Sequence, residues 1–291
     1  VQENSKTKEF SAHFQVLAMG SIGADITDNW TRLQVSASDG VVEVALARPE
    51  ARNALDPTMM LELTELARRL RRHPASRAVI LRGEATFFSA GVDLGAARGR
   101  NGSANTLLDL RCQVAAGPDL CRAWEEIEAP TVVAIEGFCI GGAAALAVAC
   151  DFRIMGHGAH MRLPEIPLGM NMSWQTLPRL AALVGPSRAK RMALFGDKLD
   201  TETCLAWGLC DEAAPSGGTL EAARRWAARL AALPPLPVRM TKEAVNAAAL
   251  ANAQAVSVMD RDQYLVAARS KDLSEGVAAF FEKRPPKFTG D

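Results

Sequence analysis

Few residues in this sequence have both the type and the surroundings to do chemistry. The stretch Ile135–Ile154, IEGFCIGGAAALAVACDFRI, runs from an apolar strand into Gly141-Gly142 and then into an alanine-rich helix. Paired glycines at such a junction let a ligand approach the backbone, where the first helical N–H groups are free donors. The helix carries no acid, base or nucleophile before Asp151, so any chemistry there belongs to the main chain. A tight helix start with close packing is the competing reading of the glycines. In a second small-residue segment, FSAGVDL (88–94), Asp93 reads equally as a turn or N-cap residue and as a ligand contact. Ser89 and Ser173 have no convincing His/Asp partners for hydrolytic chemistry. His157 and His160 lie between glycines, as in a surface loop rather than a metal site. The six cysteines show no CxxC or Cys/His spacing, so buried free thiols in a reducing cytoplasm are expected.

The elements that must position these groups follow from the pattern along the chain. The 291 residues suffice for one large domain, and 33 basic against 33 acidic residues give no sign of nucleic-acid or membrane binding. The longest apolar run, 137–150, is too short to span a bilayer. No secretory signal is evident, and residues 1–24 read as a disordered or expression-derived tail. LQVSASDGVVEVALARP predicts two strands joined at Asp39-Gly40, and Asp56-Pro57 predicts the start of a helix reaching Arg72. Strands are expected over 76–83, 130–136, 152–155 and 161–163, with a mobile loop reaching Ser103 and one helix over 105–127. A further helix is expected from Ser173 to Leu183, and the rest of the chain is mostly helical: 186–195, 201–207, 219–233, 237–250, 253–268 and 272–282. Strand–helix units giving way to helices imply an α/β core over 25–215 and a helical region over 216–291.

Four segments in order, ALARPEARNAL (45–55), FSAGVDL, GFCIGG…CD (137–151) and AFFEKRPPKFTG (279–290), resemble the crotonase family, also called the enoyl-CoA hydratase/isomerase superfamily. The resemblance runs from about Trp30 to Asp291. It implies an α/β spiral of ββα units with C-terminal helices that mediate a homotrimer, often stacked as a hexamer. It also implies an acyl-CoA thioester substrate, with coenzyme A arriving as part of the substrate and no separate cofactor or metal. The N–H groups of Val92 and Gly142 would stabilise a thioester enolate as an oxyanion hole, with Gly141 beside them. Ala51, Arg52, Ala90, Asp93, Leu94 and Gly95 would border the coenzyme, with Phe280 and Lys283 closing over it. Arg52 reads equally as a phosphate partner and as a solvated loop residue.

Of the two glutamates that hydratases of this family use, one matches Glu165, in the pair Pro164-Glu165, and the other falls on Ala145. Glu165 alone beside an oxyanion hole implies proton shuttling, the chemistry of an isomerase. A hydratase using Glu165 alone and a non-catalytic acyl-CoA binding protein are the alternatives. Met170, Met172 and Trp174 stand where many relatives are glycine-rich, which implies a narrowed acyl pocket or core packing.

Overall fold

The structure is a computed structural model that describes residues 22–93, 95 and 106–291. Leu94, most of the tail expected over 1–24 and most of the loop expected up to Ser103 lie outside the described residues. The strands, in chain order, are β1 (Leu33–Ser38), β2 (Val41–Leu46), β3 (Ala78–Arg82), β4 (Thr131–Ile135), β5 (Phe138–Ile140), β6 (Phe152–Gly156), β7 (His160–Arg162), β8 (Leu199–Asp200) and β9 (Glu212–Ala214). They form two sheets, ordered β1-β2-β3-β4-β6-β9 and β5-β7-β8. The β1–β2 hairpin is antiparallel and turns at Asp39 (φ 51°) and Gly40 (φ 79°), the positive angles that a type I′ turn requires. From β2 onward the large sheet is parallel.

Parallel strands are covered on both faces, which explains the unbroken apolar run of β4, TVVAI. One face packs Val133 and Ile135 against Leu63, Leu66 and Trp124 in the main core. The other packs Val132 and Ala134 against Ala222, Ala223 and Ala227 of helix Thr219–Ala231. Glu136 caps that helix, its Oε1 accepting from the Thr219 N–H (3.2 Å).

The chain repeats one path: a strand in the large sheet, a short strand in the small one, then a helix. β4, β5 and helix Gly142–Ala149 make one such unit; β6, β7 and helix Thr176–Phe195 make the next. Bridges Leu55↔Val92 and Ser89↔Cys139 continue the small sheet back into the earlier turns. Asp151 sits at the far end of the alanine helix, where its Oδ2 accepts from the Thr131 N–H (2.7 Å) and pairs with Lys242. Among the described residues, no helix is long and apolar enough to cross a membrane.

The structure redraws several helices. The helix expected over 105–127 is two, Leu107–Gln113 and Ala116–Glu125. A continuous helix would drive the Pro118 ring into the carbonyl of Val114, and the chain breaks there. The helix expected from Ser173 starts at Thr176, because Trp174 (φ 65°) and Gln175 (φ 56°) are left-handed. The chain leaves helical geometry at Gly185 (φ 78°, ψ 162°) and resumes it to Phe195, in line with the separate helices expected up to Leu183 and over 186–195. The 253–268 helix is Ala253–Ser257 followed by Asp260–Ala268.

The final helix, Lys271–Glu282, packs on the turn that follows Glu165. A methyl group on Gly276 would lie 2.5 Å from the Leu168 carbonyl, and one on Gly169 would lie 2.3 Å from the Asp272 carbonyl oxygen. Gly276→Ala is therefore expected to lower stability by about 1–3 kcal/mol, the usual cost of overpacking. Urea unfolding checks it, and a parent-like midpoint would contradict the close contact.

Candidate active site

The site is built on backbones brought together by glycine. Gly91 (φ 85°) lies so close to the start of the alanine helix that a methyl group on it would sit 2.3 Å from the Ile140 carbonyl oxygen and 3.4 Å from Gly142 N. Ser89 sets this bend by donating its hydroxyl to the Asn53 carbonyl (2.6 Å) and accepting the Gly91 N–H (3.1 Å). Its hydroxyl is thus structural. Across the Leu55–Val92 bridge, the Leu55 N–H donates to the Gly91 carbonyl, and the Asp93 N–H donates to the Leu55 carbonyl. In a parallel bridge the residue between those two groups points its own N–H to the other side. Val92 is that residue, and it lines a cavity.

Gly141 precedes the helix with φ 55° and ψ −120°, and its N–H donates to the Arg162 carbonyl (2.8 Å). Gly142 then opens the helix. Neither the Val92 nor the Gly142 N–H has an acceptor among the described residues. Two free donors, one at a helix N-terminus, suit an oxygen that gains negative charge.

Glu165 faces the same glycines. A methyl group on Gly141 would lie 2.7 Å from Glu165 Oε1, so glycine there makes room for the carboxyl. Part of the residue faces the cavity, while Oε2 is buried without a hydrogen-bond partner. Burial pushes the Glu165 carboxyl up to about 7, against smaller opposing pulls from its own backbone N–H and then from Arg162. A carboxyl that titrates near neutrality can both take and return a proton.

The cavity has a volume of about 150 Å³ and is lined by Ala90, Val92, Gly141, Gly142 and Glu165 together. Trp174 forms another wall. A methyl group on Gly142 would lie 2.7 Å from the indole Cη2, so the ring covers the helix's first turn. Ala145 stands three residues on, on the same helical face, and is wholly buried. Sequence reasoning missed Gln113, Gly117, Asn171, Arg261 and Tyr264 among the lining residues. Four polar residues and a glycine on separate helices and a loop carry no local signal, and only their convergence on the cavity marks them.

The sequence model of the enoyl-CoA hydratase/isomerase family matches residues 36–291. The chain belongs to that family. It is 31% identical over 260 residues to the 2,3-dehydroadipyl-CoA hydratase of Escherichia coli K12, spanning 89% of this chain and 99% of the relative. It is likewise 31% identical over 242 residues to the crotonyl-CoA hydratase of Syntrophomonas wolfei, spanning 83% and 91%. Its fold superposes on an enoyl-CoA hydratase of Mycobacterium avium subsp. paratuberculosis K-10 with a TM-score of 0.80 at 27% identity, covering 90% of this chain and 100% of the other.

The other described residues singled out by the family resemblance are not among those lining this cavity. Ala51 and Arg52 form the turn whose Arg52 carbonyl accepts the Ala90 N–H (3.1 Å), which places them behind the cavity wall. The Asp93 carboxylate is engaged by Arg48 (2.7 Å), in keeping with a structural turn residue, and Gly95 lies beside it. Phe280 and Lys283 are exposed at the end of the last helix. Of the cysteines, 121, 139, 150, 204 and 210 are buried; Cys112 is exposed, against expectation, because its short helix has no buried face.

Folding raises the Glu165 pKa, so its protonated form contributes stability that is fully present below about pH 4.5 and lost as pH rises through about 7. Glu165→Gln has no charge to bury. At pH 8 the variant should exceed the parent in stability by about 3 kcal/mol, because each tenfold change in proton affinity is worth about 1.36 kcal/mol. At pH 5 the difference should fall below about 1 kcal/mol. Urea unfolding at the two pH values checks this; an equal difference at both would contradict it.

Proposed function

We propose that this protein moves a double bond within an acyl-CoA thioester by single-carboxylate proton transfer. Glu165 takes a proton from C2 of a 3-enoyl thioester. The charge passes to the thioester oxygen, which accepts from the Val92 and Gly142 N–H groups. As the enolate collapses, Glu165 returns a proton to C4, and the C3=C4 bond becomes C2=C3. The observation that carries this reading is one buried carboxyl whose Oε2 has no hydrogen-bond partner, beside two free N–H donors, with an indole over the turn before Ala145. Each donor is worth roughly 3–4 kcal/mol of barrier in such sites.

Water addition in this family is supported by a second carboxylate, and here residue 145 is alanine. Hydration by Glu165 alone is the second reading, favoured by the hydratase names of the relatives above. Incubation with cis-3- and trans-2-enoyl-CoAs separates the two. Conjugated product from the first and little 3-hydroxyacyl product from the second is the expected result, and the reverse preference would replace isomerisation by hydration.

The base form of Glu165 starts the reaction, so turnover should rise with pH through about 7. Glu165→Gln should lower kcat by roughly 10²–10⁴-fold, the usual contribution of a general acid–base. Undiminished turnover would remove Glu165 from the mechanism.

A further inference from the structure

We propose that Trp174 is the end wall of the acyl chamber and restricts the enzyme to short acyl groups. The proposal rests on the acyl-CoA reading of the cavity. The indole lies between two glycines from different elements. A methyl group on Gly117, in helix Ala116–Glu125, would lie 1.9 Å from its Cε2, and one on Gly142 would lie 2.7 Å from its Cη2. No side chain larger than hydrogen fits at either place while the ring stays. The indole therefore spans from that helix to the turn bearing the Gly142 N–H and closes the chamber on that side.

The ring is held there by an ordered backbone. Trp174 and Gln175 are both left-handed, which costs roughly 10-fold or more in folding equilibrium per residue and persists only where surroundings enforce it. Arg179, itself buried, donates from Nη1 to the carbonyls of Trp174 and Gln175 (3.0 Å each) and from Nε to Glu125 (2.5 Å). Asp260, at the start of helix Asp260–Ala268, accepts the Gln175 N–H (3.1 Å). Met170 and Met172, also in the lining, are flexible and set no sharp limit. A stiff indole carried on a pinned backbone does. The remaining volume, about 150 Å³, matches a cavity that takes benzene, so the acyl group it suits has about six carbons or fewer.

The test is a binding ladder of saturated acyl-CoAs from butyryl to dodecanoyl, which do not turn over, measured by calorimetry. The parent's affinity should stop rising near six carbons. In Trp174→Ala it should continue to rise, by roughly fourfold per added methylene at 0.8 kcal/mol each. Trp174→Phe should restore part of the cut-off. Gly117→Ala, whose methyl takes the ring's place, should move the cut-off with the tryptophan still in the chain. If Trp174→Ala does not fold, these last two variants carry the test. A parent affinity that climbs to twelve carbons, or one length profile shared by parent and variants, overturns the wall. Binding of no acyl-CoA at all overturns the underlying acyl-CoA reading too; a cut-off at six carbons with no turnover of the enoyl thioesters overturns the isomerase alone.

Discussion

The close approach of the Gly91 backbone to Ile140 and Gly142 is the contact on which the site depends. One side chain larger than hydrogen at position 91 would meet the Ile140 carbonyl at 2.3 Å and push the two chain segments apart. Everything chemical about the site follows from keeping them together. The Leu55 bridge turns the Val92 N–H away from the sheet, and Gly141, at positive φ, precedes a helix whose first N–H is free. Two sheets, joined by short connections, hold the segments from behind.

Charge is distributed to suit. Most deeply placed ions have partners: Arg153 with Asp211, Arg179 with Glu125, Arg48 with Asp93 and Asp56, Lys242 with Asp151. These pairs tie loops to strands and late helices to the core. Glu165 Oε2 differs in being buried without a hydrogen-bond partner, and its proton is correspondingly hard to remove. Burying a carboxyl with one oxygen unpartnered is costly to a fold when it is ionised, and the same burial brings its titration up to about 7.

Much of the fold was legible because its signals are local. Asp39-Gly40 specifies its hairpin through backbone angles, and Asp56 caps its helix by accepting the Met59 N–H (2.8 Å). The parallel strands announce themselves as short apolar runs. The misread helices have different causes: Pro118 breaks locally what periodicity joined, whereas Trp174-Gln175 adopt angles that neither residue favours by itself. Arg179 holds the two carbonyls from the next turn, but it is itself fixed by distant Glu125, and Asp260, 85 residues on, takes the Gln175 N–H.

By itself the sequence determined the family, the order of the motifs and the inventory of the site: paired glycines, one glutamate after a proline, and alanine where a second glutamate would stand. Those are matters of residue type and spacing, which a chain carries unfolded. Tertiary structure decided what the inventory does. It set Glu165 against Gly141 and buried its carboxyl, because β7 and the final helix position that turn. It gave the Asp93 carboxylate and the Ser89 hydroxyl partners in other loops. It also swung Trp174 over Gly142, since the ring's position depends on backbone angles held partly by Asp260, far away in the chain. Cavity shape and proton affinity are properties of packed neighbours, and neighbours exist only after folding.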